Sequence, residues 1–244
     1  MLAWTVFALL STGCAAKLPT YAWRGPDAAL DIISERVGSI ETYSARGVLR
    51  LERAGDGPIV LDAIVIGNAA GDLRLQASKF DRTVFDLIVR TDGQWLRLSP
   101  QIENDEMFHS LTDDAERSIF SPLWWLGGAL DREALIVVRA TDHTFTVRQP
   151  ILPNTGDLEA TIDKASCTIR RFAFFDEDHN KQQEIVLERY IVINEVVWPI
   201  EMHGSGDEGQ LWLRFDSVVL NEAHPHRAFE PTAVMKKIAP AGFK

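Results

Sequence analysis

The chain has 244 residues and a mass of 27.3 kDa, a length that suits one large domain built from β-strands. Its composition, 46% hydrophobic and 25% charged, is that of an ordinary globular protein and indicates neither a disordered chain nor a protein with many membrane spans. The formal net charge of -10 argues against a nucleic-acid partner, because phosphate binding depends on clustered Lys and Arg side chains.

The N-terminal segment, residues 1–14, is an apolar run that ends in Cys14. The run is too short to span a bilayer. It resembles the end of a bacterial lipoprotein signal, in which Leu10 to Gly13 precede a lipid-modified Cys14 and everything before the cysteine is removed. The alternative is a buried or frayed apolar terminus with an incidental cysteine. The resemblance predicts a membrane anchor on Cys14, followed by a tether over residues 15–25.

One amphipathic helix is predicted after the tether, from Pro26 to Tyr43. Proline and an acidic residue, Asp27, are both favourable in the first turn of a helix. Apolar residues recur at helical spacing along this segment: Leu30, Ile33, Val37 and Ile40. From Ser44 onward the apolar period changes to two, which predicts strands for the rest of a single domain over residues 26–244.

The clearest strands lie between Gly71 and Pro100. Asp92-Gly93 stands between two alternating apolar runs, which is the pattern of a β-hairpin with a type I′ turn. With these two residues as the loop, Val89 pairs with Leu96, and the pair before it is Leu87 with Leu98. One apolar face then carries Phe85, Leu87, Val89, Leu96 and Leu98. The other face, directed toward water, carries Asp86, Arg90 and Arg97.

The strand before this hairpin constrains the loop at Phe80. Its apolar residues Leu73, Leu75 and Ala77 must share the face of Phe85. A two-residue loop, Phe80-Asp81, would pair Gln76 with Phe85 and put a glutamine on the apolar face, because a one-residue slip moves every side chain to the other side. A three-residue loop, Phe80-Asp81-Arg82, pairs Ala77 with Phe85 instead. The sequence therefore predicts an exposed Phe80 at a hairpin tip.

The middle of the chain contains an apolar segment of a different kind, residues 115–130. Pro122 interrupts any helix that begins at its start. The residues that follow are too apolar for a free surface loop, and they include Trp124, Trp125 and Leu126. The segment is either a helix that plugs the core of its own domain, which the sequence alone favours, or a lid over a ligand cavity.

Further strand patterns follow between residues 135 and 220, joined by short turns such as Asn194-Glu195. They bring the total to about eleven strands, and connections this short require antiparallel pairing. The predicted fold is mainly β (α+β). A long meander with only one or two covering helices curls into a barrel or half-barrel, and such a barrel can enclose an apolar ligand.

Few motifs in the sequence indicate a catalytic, cofactor or metal site. Gly204 to Gly209 has the spacing of a dinucleotide-binding fingerprint, but a strand follows it where the fingerprint requires a helix. His224-Pro225-His226 lacks a carboxylate or cysteine at a metal-binding spacing. Cys167 lies in an alternating run, and we expect a small core residue there. We predict no catalytic residues, metal or cofactor; a hydrolase remains an alternative for which no residue can be named.

The order of these parts resembles the LolA/LolB-type carriers, which shield the acyl chains of lipoproteins on their way to the outer membrane. Three stretches carry the resemblance: Leu73 to Leu75 running into Ser78 to Thr83, Pro122 to Gly127, and Asn194 to Ile200. The resemblance implies an incomplete antiparallel β-barrel with an N-terminal helix and a mid-chain lid helix. In the membrane-anchored members an exposed apolar residue at the tip of the corresponding loop helps to insert the delivered lipoprotein into the membrane, and Phe80 matches its position as a membrane-inserting loop tip.

The function that this resemblance implies is acyl-chain binding by a monomeric lipoprotein anchored in the outer membrane through Cys14 and facing the periplasm. Its partners would be lipoproteins or lipids, delivered by a soluble periplasmic carrier, and no nucleic acid. The cavity would be lined by Leu49, Leu75, Phe85, Leu87, Val89, Leu96 and Leu98, with Trp124, Trp125 and Leu126 in the lid. The alternative is a structural or interaction lipoprotein with a filled core and no transported ligand.

Overall fold

The computed structural model describes residues 17–52, 57–90, 92–100, 130–150, 156–206, 209–225 and 227–240. Within them the chain forms one helix and thirteen strands. The elements are α1 (Pro26–Gly38), β1 (Thr42–Glu52), β2 (Ile59–Asn68), β3 (Leu73–Lys79), β4 (Arg82–Arg90), β5 (Gly93–Leu98), β6 (Ile136–Ala140), β7 (Thr144–Pro150), β8 (Asp157–Asp163), β9 (Thr168–Phe175), β10 (Lys181–Ile193), β11 (Val196–Gly206), β12 (Gly209–Leu220) and β13 (Lys236–Pro240).

All thirteen strands belong to one antiparallel sheet with the order β13-β5-β4-β3-β2-β1-β12-β11-β10-β9-β8-β7-β6. Two meanders, β1 to β5 and β6 to β12, are joined where β1 pairs with β12. Because β13 and β6 form two open edges, the sheet does not close, which confirms the predicted incomplete barrel. Strand β13 was not predicted, and the predicted lid helix lies outside the described residues.

Helix α1 packs on the apolar face of this sheet. Pro26 and Asp27 occupy its first turn, and Ala29, Leu30 and Ile33 are buried. These side chains join one core cluster with the inner faces of both meanders. The helix ends at Gly38, earlier than the predicted Tyr43, because Thr42 already pairs with Asn68 in the sheet. Among the described residues, no helix has the length and apolarity needed to cross a bilayer.

The pairing of β3 with β4 confirms the predicted register but not the predicted loop. Ala77 pairs with Phe85 and Leu75 with Leu87, as expected. Lys79 pairs with Arg82, however, so the loop has only two residues, and the odd residue is taken up by a bulge after Ala77. A bulge adds one residue to one strand and therefore restores the face that a two-residue loop would have reversed.

The pairing of β4 with β5 differs from the prediction by two residues. Leu87 pairs with Leu96, and Val89 pairs with Gln94 where Leu96 was expected. A shift of two residues keeps every side chain on its own face, so the apolar pattern cannot distinguish the two registers. Gln94 lies on the inner face with Leu96 in either register, and only 3% of the residue is exposed.

The hairpin formed by β10 and β11 pairs with its neighbouring strands, β9 and β12, over only half of its length. The β9–β10 pairing ends at Arg171 with Val186, and the β11–β12 pairing ends at Glu201 with Arg214. Beyond these points, the described residues 187–193 of β10 pair only with β11, and residues 196–200 of β11 pair only with β10. Pro199 has no N–H to donate to a neighbouring strand. We call residues 187–200 the free half of the hairpin.

Candidate functional site

The tip of the β3–β4 hairpin presents an aromatic ring to solvent. Phe80 is 84% exposed, the largest exposed fraction among the large apolar residues described. Phe80 and Asp81 have φ angles of 51° and 60°, so both central residues of the turn are left-handed. Asn, Asp and Gly favour such turns, whereas a bulky side chain in this conformation costs roughly 1 kcal/mol or more. Phe80 thus occupies a position that neither backbone preference nor burial explains.

Charged side chains surround the ring of Phe80. Lys79, Asp81 and Arg82 are exposed, which gives the tip a local formal charge of opposite sign to that of the whole chain. The ammonium nitrogen of Lys79 lies 5.9 Å from the centroid of the Phe80 ring. An apolar ring flanked by cations suits the boundary between the acyl chains and the headgroups of a membrane.

The inner face of the sheet brings together the seven described residues that were predicted to line a cavity. Six of them belong to the buried core cluster, with exposed fractions between 0% and 8%: Leu49, Leu75, Phe85, Leu87, Val89 and Leu96. Leu98 is partly buried and packs against the same cluster. The remaining predicted site residues, Cys14, Trp124, Trp125 and Leu126, lie outside the described residues.

The opposite face of β4 is less exposed than predicted. Asp86, which was expected to face water, is only 2% exposed, and Ile88 is 0% exposed. Arg74 on β3 pairs with the Asp86 carboxylate, and this hydrogen bond raises the pKa of the Arg74 guanidinium above its ordinary value. The Arg74 Nη1 atom also donates to the carbonyl of Ala228 at 3.1 Å. The C-terminal segment therefore contacts the outer face of the first meander.

His224 anchors the same C-terminal segment. Its Nε2 atom lies 3.0 Å from the carbonyl oxygen of Tyr43 and 3.2 Å from that of Gly67. The ring also packs edge-on against Phe229, with the two centroids 5.8 Å apart. These contacts give His224 a structural role, and no group of three His, Cys, Asp or Glu side chains within the described ranges could hold a metal ion.

A polar cluster lies on the outer face of β11 and β12. Burial alone would raise the pKa of Glu201, but hydrogen bonds from Trp212 and Arg189 and the charge of Arg189 keep that pKa below its ordinary value. The Trp212 Nε1 atom donates to Glu201 Oε1 at 3.0 Å, and His203 Nε2 lies 3.6 Å from the same oxygen. Glu201 is thus a partnered carboxylate, and its low pKa does not suit a general base.

Three further expectations are confirmed. Asn194 and Glu195 form a turn between β10 and β11, with φ angles of 48° and 69°. Gly209 begins strand β12, so a strand follows the glycine-rich stretch and its spacing does not mark a dinucleotide site. Cys167 is 3% exposed and belongs to the core, as predicted.

The fold was compared with known proteins. No family model and no curated protein sequence matches the chain. Among solved structures, it is similar to a DUF1329 family protein from Desulfovibrio piger, with a TM-score of 0.59 and 11% identity over 85% of this chain and 98% of that one. An outer membrane lipoprotein-sorting protein domain from Vibrio parahaemolyticus aligns with a TM-score of 0.57 and 14% identity over 84% of this chain and 97% of that one.

A LolA superfamily protein from Nitrosomonas europaea is also similar, with a TM-score of 0.57 and 11% identity over 83% of this chain and 97% of that one. At these identities the likeness concerns the fold. The chain therefore has the open half-barrel fold of LolA-type proteins, and the resemblance predicted from its sequence is confirmed at that level.

Arg36, the basic residue in the last turn of α1, was not among the predicted site residues. Arg36 lines a pocket together with two apolar residues of the same helix, Ile33 and Val37. The signal was present, because Arg36 stands between Ile33 and Val37 in the apolar stripe of an otherwise amphipathic helix. The role of Arg36 could be inferred only once the strands that pack against α1 were known.

Proposed function

We propose that this protein binds acyl chains of lipoproteins or lipids on the inner face of its half-barrel and carries them to the outer membrane. The observation that carries the proposal is the continuous apolar face of an open sheet, on which inner residues of β1, β3, β4 and β5 form one cluster with α1. Burial of an acyl chain against such a face contributes about 0.8 kcal/mol per methylene group.

Two further features support an anchored form of the carrier. A lipid on Cys14 would attach the chain to the membrane through the tether at residues 15–25. The exposed Phe80 ring would then reach into the bilayer surface, because it stands at a hairpin tip with cations beside it. We infer a periplasm-facing lipoprotein of the outer membrane that acts as a monomer without catalysis and accepts its cargo from a soluble carrier.

A second candidate function is a structural or interaction lipoprotein with a filled core. The observation in its favour is the near-complete burial of the inner face, since Leu49, Val65 and Leu75 are each 0% exposed. In this candidate Phe80 would contact a partner protein. The two candidates differ in whether the inner face can receive a ligand.

Native mass spectrometry of the purified protein, compared with a delipidated sample, tests the proposal. We expect one lipid or lipopeptide to copurify with the protein, or to be loaded after delipidation. If nothing copurifies and nothing can be loaded, the carrier function is wrong and the filled core is favoured.

A pair of variants on one strand sharpens this test. Ala77 lies on the inner face of β3 and is 0% exposed, whereas its neighbour Ser78 points to the other face. If the face binds acyl chains, Ala77→Met occupies ligand space and lowers loading, while Ser78→Met leaves loading unchanged. If the core is filled, Ala77→Met instead overpacks it and lowers the free energy of unfolding by about 1 to 3 kcal/mol. In that case neither the wild type nor either variant can be loaded with lipid.

A further inference from the structure

A pocket lies between α1 and the free half of the hairpin. Ile33 and Val37 of the helix, and Ile40 two residues beyond its end, line one side of the pocket. The start of β9 and the free half of the hairpin line the other side, with residues that include Ile169, Tyr190 and Val196. The pocket is located where β9 and β10 no longer pair. The unpaired ends of these strands border the pocket, which is partly open to solvent.

The hydroxyl group of Tyr190 replaces the missing strand pairing at this place. It donates a hydrogen bond to the backbone carbonyl of Ile169, across the gap between β10 and β9. Burial raises the pKa of the Tyr190 phenol, so its hydroxyl stays protonated at neutral pH. Burial likewise raises the pKa of the Cys167 thiol, which lines the same pocket. Both groups are therefore neutral.

Arg36 is the one formally charged residue among the described residues that line the pocket. Its Nη1 atom donates to the carbonyl of Cys167 at 2.8 Å, and its Nη2 atom donates to the carbonyl of Ser166 and to the hydroxyl of Tyr21, both at 3.0 Å. A guanidinium has five N–H groups. Two of them, on Nε and Nη1, have no acceptor within the described chain.

The charge of Arg36 also lacks a carboxylate partner, since no described Asp or Glu lies within ion-pair distance of it. Asp163 is close to the pocket, but its Oδ1 atom accepts hydrogen bonds from the backbone and hydroxyl of Ser166 at 2.8 and 2.7 Å. The other oxygen of Asp163 lies 3.8 Å from Arg170. A partly buried cation with free donors beside an apolar pocket favours an anionic ligand.

We propose that this pocket binds the anionic head of an acyl-chain ligand, with the carboxylate or phosphate at Arg36 and the chain along the apolar side of α1. The inference rests on the proposed acyl-chain binding and adds the position and charge of the head. A free inorganic anion fits less well, because one arginine in an apolar pocket does not replace the full hydration shell of that ion.

Binding of dodecanoate and of dodecanol, which have the same chain length but a carboxylate and a neutral hydroxyl head respectively, tests the inference by calorimetric titration of the full chain. We expect dodecanoate to bind about tenfold more tightly than dodecanol, the equivalent of one charge-assisted hydrogen bond. Arg36→Gln should remove this preference, because it lowers the affinity for dodecanoate about tenfold more than the affinity for dodecanol. Arg36→Lys should keep part of the preference, and Arg50→Gln, which changes an exposed arginine of β1, should keep all of it.

Each outcome bears on one of the two proposals. If neither compound binds, acyl-chain binding itself is wrong and this inference fails with it. If both bind equally, or if Arg36→Gln keeps the preference, the head position is wrong while acyl-chain binding stands. Displacement of dodecanoate by inorganic phosphate or acetate at millimolar concentration would show a site for free anions, which also overturns the inference.

A second measurement avoids any change of Arg36, whose hydrogen bonds also hold α1 against the β8–β9 turn. The sequence has two cysteines, so Cys14→Ser leaves Cys167 as the only thiol. Because Cys167 lines the pocket, bound dodecanoate should slow its reaction with a maleimide, and dodecanol at the same concentration should slow it less. Equal protection by both compounds would contradict the proposed head position.

Discussion

Arg74 and Asp86 form a two-point ion pair between β3 and β4, on the face of the sheet opposite the core. Arg74 Nε donates to Oδ1 at 2.9 Å, and Nη2 donates to Oδ2 at 2.7 Å. The same guanidinium donates to the carbonyl of Ala228. The pair therefore connects the first meander to the C-terminal segment, which continues into β13 and pairs with β5.

We expect Asp86→Asn to destabilise the protein by about 3 kcal/mol, because it leaves a partly buried guanidinium without its counter-charge. The free energy of unfolding in urea measures this effect. Arg50→Gln removes an exposed ion pair with Glu52 and should cost less than about 1 kcal/mol. An equal, small effect of both variants would mean that the buried pair contributes no more than a surface pair.

Phe80→Glu should leave folding nearly unchanged and weaken membrane binding. The residue is 84% exposed, so its replacement should alter the free energy of unfolding by no more than about 0.5 kcal/mol. Loss of a ring that inserts into lipid should weaken binding to phospholipid vesicles by about tenfold or more. Vesicle flotation together with thermal unfolding measures both properties.

The matched control for Phe80 is Val219→Glu. Val219 is 38% exposed and pairs with Ser44 near the end of the sheet away from the Phe80 turn. This variant introduces the same charge and should keep vesicle binding. If Val219→Glu weakens binding as much as Phe80→Glu, net charge rather than the hairpin tip governs the interaction. Unfolding of Phe80→Glu would mean that the ring belongs to the core.

The strain at the same turn predicts opposite effects on stability and on membrane binding. Replacement of Phe80→Asn together with Asp81→Gly supplies the residues that a turn with two positive φ angles prefers. We expect a gain of about 1 kcal/mol in the free energy of unfolding. Vesicle binding should nevertheless fall, because the ring is gone. A loss of stability would show that Phe80 makes favourable contacts at the tip.

The β8–β9 turn should give a pH-dependent contribution to stability. Burial alone would raise the pKa of Asp163, but hydrogen bonds from Ser166 and Ala165 and the charge of Arg170 hold it below 3.8. A carboxyl with a lowered folded-state pKa stabilises the protein above the unfolded value, and this contribution is lost as the pH falls through the folded one.

Asp163→Asn should therefore be less stable than the wild type at neutral pH, and the difference should narrow as the pH falls below about 3.8. Urea unfolding at pH 6 and pH 3 measures this change. Asp62→Asn removes the same charge at an exposed position of β2 and serves as the control. A difference that stays constant between the two pH values would contradict the role of the Asp163 charge.

Gly47 is required where β1 approaches β12 at a bulge. A Cβ atom at this position would lie 1.8 Å from the carbonyl oxygen of Arg214, so backbone must move to admit it. We expect Gly47→Ala to destabilise the protein by about 2 kcal/mol or more. Gly38→Ala at the end of α1 meets no atom within 4 Å and should not destabilise it. Equal stability of the two variants in urea would show that the β1–β12 contact can relax.

Alternation of apolar residues was enough to predict the inner face of the first meander, the direction of its strands and the exposure of Phe80. It did not predict the bulge after Ala77, because a bulge and a three-residue loop shift the alternation by the same amount. It also did not predict the pairing of Val89 with Gln94, since registers two residues apart place the same side chains inside.

The sequence by itself determined the class of fold and the position of its exposed aromatic ring, because both follow from local periodicity and from turns between neighbouring strands. Only the tertiary structure decided that Asp86 is buried, since its environment includes a C-terminal carbonyl 154 positions from Arg74. The same holds for Arg36, whose acceptors Ser166 and Cys167 lie 130 and 131 positions away. Contacts at such separations depend on how the whole sheet curves, and no local pattern in the sequence encodes them.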